Sequence, residues 1–347
     1  MSAPRIGVLG AGAWGVALAA AQAREGRDVR LWGRDPAALR ALGEGRGSAH
    51  LPGAALPALR TSPSPEALVA ESGIVLCAVP VAATTDLLAR ALAPPDGAVL
   101  LMCSKGIAPA PGAGMGDAPA ETAMGDAPAE AAMPAGLAAA APGGAGFGER
   151  IGVLSGPSFA ADVARGLPTA VALALPRAED ARRAAGALTS PAFRVYATND
   201  VAGVGMGGAL KNVVAIACGI AAGRGLGASA HAALLTRGHA EMRRVARALG
   251  ARPDTLAGLS GLGDLVLTAS SAQSRNFAHG LALGRGEAPP AATVEGVRTA
   301  ATARALAARL GVRAPVTDAL DAILHRGADI DATVRALLDR PPGAEDE

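Results

Sequence analysis

Up to about Asp200 the chain alternates short, mainly apolar runs with stretches whose apolar residues recur every three or four positions. The runs fall at 5–9, 28–32, 73–79, 98–102, 151–154, 170–174 and 193–196. Mainly apolar runs of this length suit strands covered on both faces, and their alternation with helices points to a mostly parallel sheet. Beyond Asp200 the strand pattern stops. Residues 208–222, 231–249, 298–310 and 315–325 repeat apolar positions at helical spacing, with glycine or proline at 223–227, 250–253, Gly311 and Pro315 between them. The pattern predicts an α/β fold class. A doubly wound, mostly parallel sheet domain over 1–197 is followed by an all-helical domain over 198–340. A chain of 347 residues is long enough to hold two such cores.

The turn after the first run carries chemistry. Gly10-Ala-Gly12-Ala-Trp14-Gly15 ends the first strand and opens a helix that continues to about Arg24, and the second strand follows at 28–32. Strand, glycine turn, helix and strand in this order form the context in which G-x-G-x-x-G binds a dinucleotide. Gly10 permits the tight turn, Gly12 lets a pyrophosphate approach the backbone, and Gly15 lets the helix pack against the strand. The amides of the helix N-terminus then face the phosphates. This is the Rossmann arrangement. After the second strand, Arg34 favours NADP by accommodating an extra phosphate, while Asp35 keeps NAD open through the ribose; an exposed Arg-Asp pair in a turn is the competing reading. Ligands of such sheets lie at the carboxyl ends of strands, where Val79-Pro80, Cys103-Ser104-Lys105-Gly106 and Ser155-Gly156-Pro157-Ser158-Phe159 fall.

Between about 107 and 149 the chain becomes a tract of Ala, Pro and Gly in which Met115-Gly-Asp-Ala-Pro-Ala-Glu121 recurs as Met124-Gly-Asp-Ala-Pro-Ala-Glu130. Two copies are too few for a solenoid, so the tract reads as a duplicated, dispensable surface insertion. Half of all residues are apolar but only 2% are aromatic, so alanine, leucine and valine must build the core. A net charge of +2 without a basic run argues against a nucleic-acid partner. Cys77, Cys103 and Cys218 lack metal or disulfide spacing and read as reduced core thiols. No charged-then-apolar leader opens the sequence, and no apolar stretch approaches the ~20 residues of a membrane span. A soluble cytoplasmic protein is expected, with homodimerisation left open.

Thirty of the 32 basic residues are arginine, and the two lysines, Lys105 and Lys211, both sit in glycine-flanked polar clusters. Arginine cannot release its proton near neutral pH, so two retained amines point to positions that need a compact or titratable cation. Asn212 adjoins Lys211. In the second half, Asp264 lies between apolar flanks, and Ser274-Arg275-Asn276 places three hydrogen-bond donors in a row. Such a trio at a helix start suits a phosphate dianion, although a capping serine beside a surface arginine has the same sequence. Asp264 reads equally as a cap.

Taken in order, Gly10–Gly15, Leu31-Trp-Gly-Arg-Asp35, Ser104-Lys-Gly106, Ser155-Gly-Pro-Ser-Phe159, Gly207-Gly-Ala-Leu-Lys-Asn212, Gly261-Leu-Gly-Asp-Leu265, Gln273-Ser-Arg-Asn276 and Val294-Glu-Gly296 resemble the NAD(P)-dependent sn-glycerol-3-phosphate dehydrogenases of the bacterial biosynthetic type. The resemblance covers residues 5–338 apart from the insertion. It implies reversible reduction of dihydroxyacetone phosphate to sn-glycerol 3-phosphate for phospholipid synthesis. It implies Lys211 as catalytic acid-base, held by Asp264 and Asn212, and Lys105 at both substrate and cofactor. Further substrate contacts are implied for Gly156, Ser158, Asp264, Ser274, Arg275 and Asn276. Cofactor contacts are implied for Gly10, Gly12, Ala13, Trp14, Gly15, Arg34, Ala160, Arg275, Thr293 and Glu295. Ala13 stands where many members carry serine, and Ser158 where threonine is common. The competing functions are a related hydroxy-acid or sugar-phosphate dehydrogenase and a non-catalytic NAD(P)-sensing module. No metal is implied.

Overall fold

The computed structural model describes residues 4–90, 92–107, 133–290 and 294–338. The seven expected strands form one sheet in the order β2-β1-β3-β4-β5-β6-β7. They are β1 (Ile6–Leu9), β2 (Val29–Trp32), β3 (Ile74–Cys77), β4 (Val99–Met102), β5 (Ile151–Ser155), β6 (Thr169–Ala174) and β7 (Phe193–Thr198). All neighbours pair parallel except β5 with β6, where Leu154 faces Leu173 in an antiparallel ladder. The unbroken apolar pattern did not distinguish that pair, because both strands are covered on both faces and periodicity is blind to direction. Outside β2, Leu31 forms a single parallel bridge with Thr61 and exchanges hydrogen bonds of 2.9 Å with Arg60 and Ser62. Counting that rudimentary strand, the strand order about β1 follows the dinucleotide-binding pattern, with its switch point beside β1.

Alternate residues of the strands feed two cores. Ile74, Leu76, Val99 and Leu101 face one side of the sheet, and Val75, Cys77, Leu100 and Met102 face the other. The second side is closed by a segment that the sequence assigned to the surface. Leu137 and Phe147 are 1% and 0% exposed, around the short helices Pro134–Ala140 and Pro142–Ala145, and Phe147 joins that second core. The expected insertion over 107–149 is therefore too long at its C-terminal end. Alanine and glycine dilute the composition there, yet one leucine and one phenylalanine suffice to seat the segment. The repeated heptapeptides lie outside the described residues.

A third core surrounds the helix Val201–Gly223, and the helices Gly227–Ala248, Glu295–Arg309 and Pro315–His325 pack around it. Asp200 caps the long helix through Gly203 N–H at 2.8 Å and also accepts from Arg252 N–H at 2.8 Å. The helix begins seven residues before the expected 208. Gly203, Gly205, Gly207 and Gly208 blur the apolar spacing, but each faces a close neighbour rather than solvent. The helix is 23 residues long and apolar enough for a membrane span by length and composition, but its most apolar window, of mean hydropathy 1.6, is packed inside the protein.

Four described helices of the second half escaped the sequence pattern, Pro253–Ala257, Asp264–Ala269, Arg275–Arg285 and Ile330–Leu338, and the second and third carry the site. The helix Arg275–Arg285 crosses the long helix at backbone contact. A Cβ on Gly280 would lie 2.1 Å from the Ile216 carbonyl oxygen, and one on Gly219 would lie 2.3 Å from that of Phe277. Four glycines, Gly219, Gly223, Gly280 and Gly284, make that crossing and so fix where the N-terminus of Arg275–Arg285 stands.

Candidate active site

The carboxyl ends of β1, β3, β4 and β5 lie side by side, and their loops carry the expected glycine turn, Lys105 and Gly156. Gly10 has φ +109°, a backbone that side chains rarely adopt, and its missing Cβ would touch the Ala78 carbonyl. A Cβ on Gly15 would fall 1.8 Å from the Gly10 carbonyl oxygen, so helix α1 (Ala13–Arg24) can approach the turn only through glycine. Gly12 differs from both: it caps α1 with no side chain, and the position of its absent Cβ meets nothing within 4 Å. The buried Trp14 indole N–H beside it has no partner. Bare helix-start amides, an orphaned donor and open space at a glycine fit a pyrophosphate-bearing dinucleotide. Asp35 caps helix α2 (Pro36–Gly43) through one carboxylate oxygen, which accepts from Ala37 N–H at 2.8 Å and Ala38 N–H at 3.3 Å. Arg34 is exposed.

The two lysines meet at one carboxylate. Lys105 Nζ donates to Asp264 Oδ2 at 2.7 Å and to the Gly156 carbonyl at 3.0 Å. Lys211 Nζ donates to Asp264 Oδ1 at 2.5 Å and contacts Thr268 Oγ1 at 2.7 Å. Asp264 is 1% exposed, Lys211 7% and Lys105 15%, so the cluster is buried and its open side is at Lys105. Burial pushes the Lys211 ammonium down from 10.5 to about 7; Asp264 opposes that shift and Lys105 adds to it. A lysine so placed exchanges its proton near neutral pH, which arginine cannot do.

Local sequence explains the placement. A π-turn, Leu259–Gly263, precedes Asp264, and Gly207 backs onto it so closely that a Cβ would lie 2.5 Å from the Ser260 carbonyl oxygen. Lys211 follows Gly207 by one helical turn and so faces the same segment. Thr268 lies one turn after Asp264 on its helix, which brings its hydroxyl beside the same ammonium. That residue was missed. The only signal for it was the spacing of four from Asp264, which threonine shares with many helix positions.

Asn212 does not reach the Lys211 ammonium, contrary to the expectation that it would orient it. Its amide donates to the Lys105 carbonyl at 3.5 Å and accepts from Asn276 Nδ2 at 2.9 Å. Ser274 caps Arg275–Arg285 through Phe277 N–H, Arg275 is exposed at the first position of that helix, and Ser158 donates to the Gly156 carbonyl at 2.9 Å. Glu295 keeps a partly open face, but the protein packed around it raises its carboxyl above the usual range against the pull of Arg275, Lys105 and Lys211. Lys105, Gly156, Ser158, Lys211, Asp264 and Asn276 are thus joined by hydrogen bonds, directly or through Asn212. Arg34, Ala13 and Ala160 make no hydrogen-bonded contact with that group, and Thr293 lies outside the described residues.

A dinucleotide turn at the switch point of the sheet, with a buried titratable amine at the neighbouring strand ends, equips a nicotinamide-dependent dehydrogenase. The comparisons with known proteins narrow that class. Residues 5–181 match the NAD-dependent glycerol-3-phosphate dehydrogenase N-terminus and residues 200–335 its C-terminus. A glycerol-3-phosphate dehydrogenase [NAD(P)+] from Azorhizobium caulinodans is 49% identical, with 98% of each chain covered. The protein of that name from Brucella canis is 45% identical over 99% of each. The crystal structure of glycerol-3-phosphate dehydrogenase from Coxiella burnetii superposes with TM-score 0.83 at 33% identity, covering 97% of this chain and 99% of that one. The chain belongs to the NAD-dependent glycerol-3-phosphate dehydrogenase family.

Proposed function

We propose that this protein catalyses the reversible reduction of dihydroxyacetone phosphate to sn-glycerol 3-phosphate with NADPH or NADH, and so supplies the backbone for phospholipid synthesis. The observation that carries the reading is the buried Asp264 carboxylate gripping both lysines of the chain. The nicotinamide cofactor supplies the hydride that reduces the ketone carbon.

The chain's own residues supply the rest. Negative charge grows on the carbonyl oxygen of the ketone, and a protonated Lys211 stabilises that oxygen and gives it the proton. Asp264 and Thr268 fix the direction of the Lys211 ammonium. Lys105, at the more open side, adds positive field to the same oxygen and to the bound cofactor. Ser274, Arg275 and Asn276, at the start of one helix, hold the phosphate of the substrate by charge and hydrogen bonds. That grip is remote from the reacting carbon and goes into orientation. Gly156 and Ser158 line the substrate. Gly10, Gly12, Ala13, Trp14, Gly15, Arg34, Ala160, Thr293 and Glu295 would hold the dinucleotide, with Arg34 favouring NADP and the second oxygen of Asp35 leaving NAD open. The division into 1–197 for the cofactor and 198–340 for the substrate belongs to the same reading, as does a cytoplasmic location. The test is oxidation of NADPH and NADH by the purified protein with dihydroxyacetone phosphate. Turnover with the ester and none with a panel of hydroxy-acid precursors supports it; no turnover with either cofactor refutes it.

A further inference from the structure

Three hydrogen bonds run head to tail beside the lysine cluster. Gly296 N–H donates to Asn276 Oδ1 at 2.9 Å, Asn276 Nδ2 donates to Asn212 Oδ1 at 2.9 Å, and Asn212 Nδ2 donates to the Lys105 carbonyl at 3.5 Å. Both ends of the row are backbone groups that allow one role each. A peptide N–H can only donate, so Asn276 must turn its oxygen toward Gly296 and its nitrogen toward Asn212. A peptide carbonyl can only accept, so Asn212 must turn its nitrogen toward Lys105. The orientation of both side-chain amides is therefore forced from either end. The approach is also built for them, since a Cβ on Gly296 would lie 2.6 Å from Asn276 Oδ1 and 2.7 Å from the Asn212 carbonyl oxygen.

The row joins four segments distant in sequence: the start of Glu295–Arg309, the start of Arg275–Arg285, the long helix, and the loop after β4. We propose that Asn212 and Asn276 are positioning residues: through the Lys105 carbonyl they tie the backbone of that lysine to the segment carrying Glu295. The Lys105 ammonium is thereby held where it shares Asp264 with Lys211. The proposal rests on the reductase reading above for its kinetic readouts. It gives the two amides a role distinct from a direct grip on the substrate phosphate, for which one hydrogen of Asn276 Nδ2 remains.

The row makes a linked prediction. Asn276→Asp puts an acceptor opposite Asn212 Oδ1, and relieving that clash by turning Asn212 over sets its oxygen against the Lys105 carbonyl. One substitution thus disturbs a group two links away. Loss of the row is expected to lower kcat/KM between about 10-fold and 100-fold, the range that small misplacements near a reacting group produce. The loss should appear with unphosphorylated dihydroxyacetone as well as with dihydroxyacetone phosphate, and for Asn212→Ala it should be equal for the two. Asn212→Ala and Asn276→Ala should cost no more together than the worse of the two alone. The pH profile gives a signature that a general loosening would not. Asp264 and Thr268 contact the Lys211 ammonium, the Glu295 carboxyl is close enough to feel its charge and those of Lys105 and Arg275, and Lys105 is a neighbour that holds the Lys211 pKa down. When Lys105 slips, the alkaline limb of the reduction rate moves to higher pH.

Hydrogen exchange reads the same row without turnover. In Asn276→Ala, amide exchange should rise in peptides spanning 103–107 as well as in those spanning 294–297, while peptides of β6 remain at the rate of the unsubstituted protein. Unchanged exchange at 103–107 overturns the proposal, whether or not the variant is active. A rate loss confined to the phosphorylated ketone, or additive losses in the double variant, also overturns it and makes Asn276 a phosphate ligand alone. Absence of turnover in the unsubstituted protein refutes the reductase reading instead, and the exchange experiment still decides on the row.

Discussion

Replacing Asp264 by asparagine tests the centre of the site with one atom. The carboxylate accepts from both ammoniums; an amide offers one acceptor and turns an NH2 toward the other lysine. In the reduction Lys211 gives its proton away, so the rate follows the protonated fraction. It is flat below the midpoint and falls tenfold per pH unit above it. The oxidation needs the neutral amine and rises to a plateau above the same midpoint. For the unsubstituted protein that midpoint is the Lys211 pKa of about 7. Asp264 holds the proton on. A unit charge pair about 4 Å apart at an effective dielectric near 20 is worth ~4 kcal/mol, or roughly three pH units, and screening by entering water brings this to about two.

With that charge gone the midpoint of the variant lies well below that of the unsubstituted protein, so far less of Lys211 is protonated at pH 7.5. The reduction should therefore fall on the order of 10²-fold at that pH and recover as the pH is lowered, while the oxidation recovers activity at lower pH than before. The measurement is initial rates of NADPH oxidation with dihydroxyacetone phosphate from pH 5 to 9, with the reverse reaction alongside. A variant whose alkaline limb stays near 7, with a rate within about threefold of normal, would refute the account of Lys211 as a proton donor tuned by this carboxylate.

Four further substitutions have expected outcomes. Arg34→Ala should raise the KM for NADPH about tenfold and leave that for NADH unchanged, whereas Asp35→Ala should cost about 1 kcal/mol of stability as a lost cap; steady-state kinetics and melting separate the two. Gly280→Ala should force the crossing helices apart against the Ile216 carbonyl, lower stability by about 1–3 kcal/mol and raise the KM for the phosphorylated substrate, because the helix that moves begins with Arg275. Glu241 is 3% exposed, accepts from Val316 N–H, Thr317 N–H and the Thr317 hydroxyl, and is raised by burial from 4.5 to about 7. Its folded pKa lies above the unfolded one, so its contribution is complete below about pH 4.5 and declines by about 3 kcal/mol as pH rises to 7. Denaturant titrations of Glu241→Gln should lack that slope, and an identical slope in both proteins would contradict the assignment.

What the sequence disclosed and what it hid follow one physical division. The central strands were legible because β1, β3, β4 and β5 are covered on both faces and are almost wholly apolar; the glycine turn was legible because its backbone admits few residue types. Lys105 and Lys211 stood out because arginine fills nearly every other basic position. Asp264 and Asn212 could not be assigned from their flanks, since a carboxylate between apolar residues is a cap as often as a counter-ion; the family resemblance set both at the Lys211 ammonium, and the fold brings only Asp264 there. The helix Arg275–Arg285 was hidden for the reason it matters: the glycines that let it touch the long helix erase the apolar period by which helices are recognised. Gly207, backed onto the π-turn before Asp264, extends the same rule to the site. In this chain the close backbone contacts that set the geometry of the lysine cluster are made by residues with no side chain to leave a pattern, so the fold was readable from what fills its interior and the site only from what is missing there.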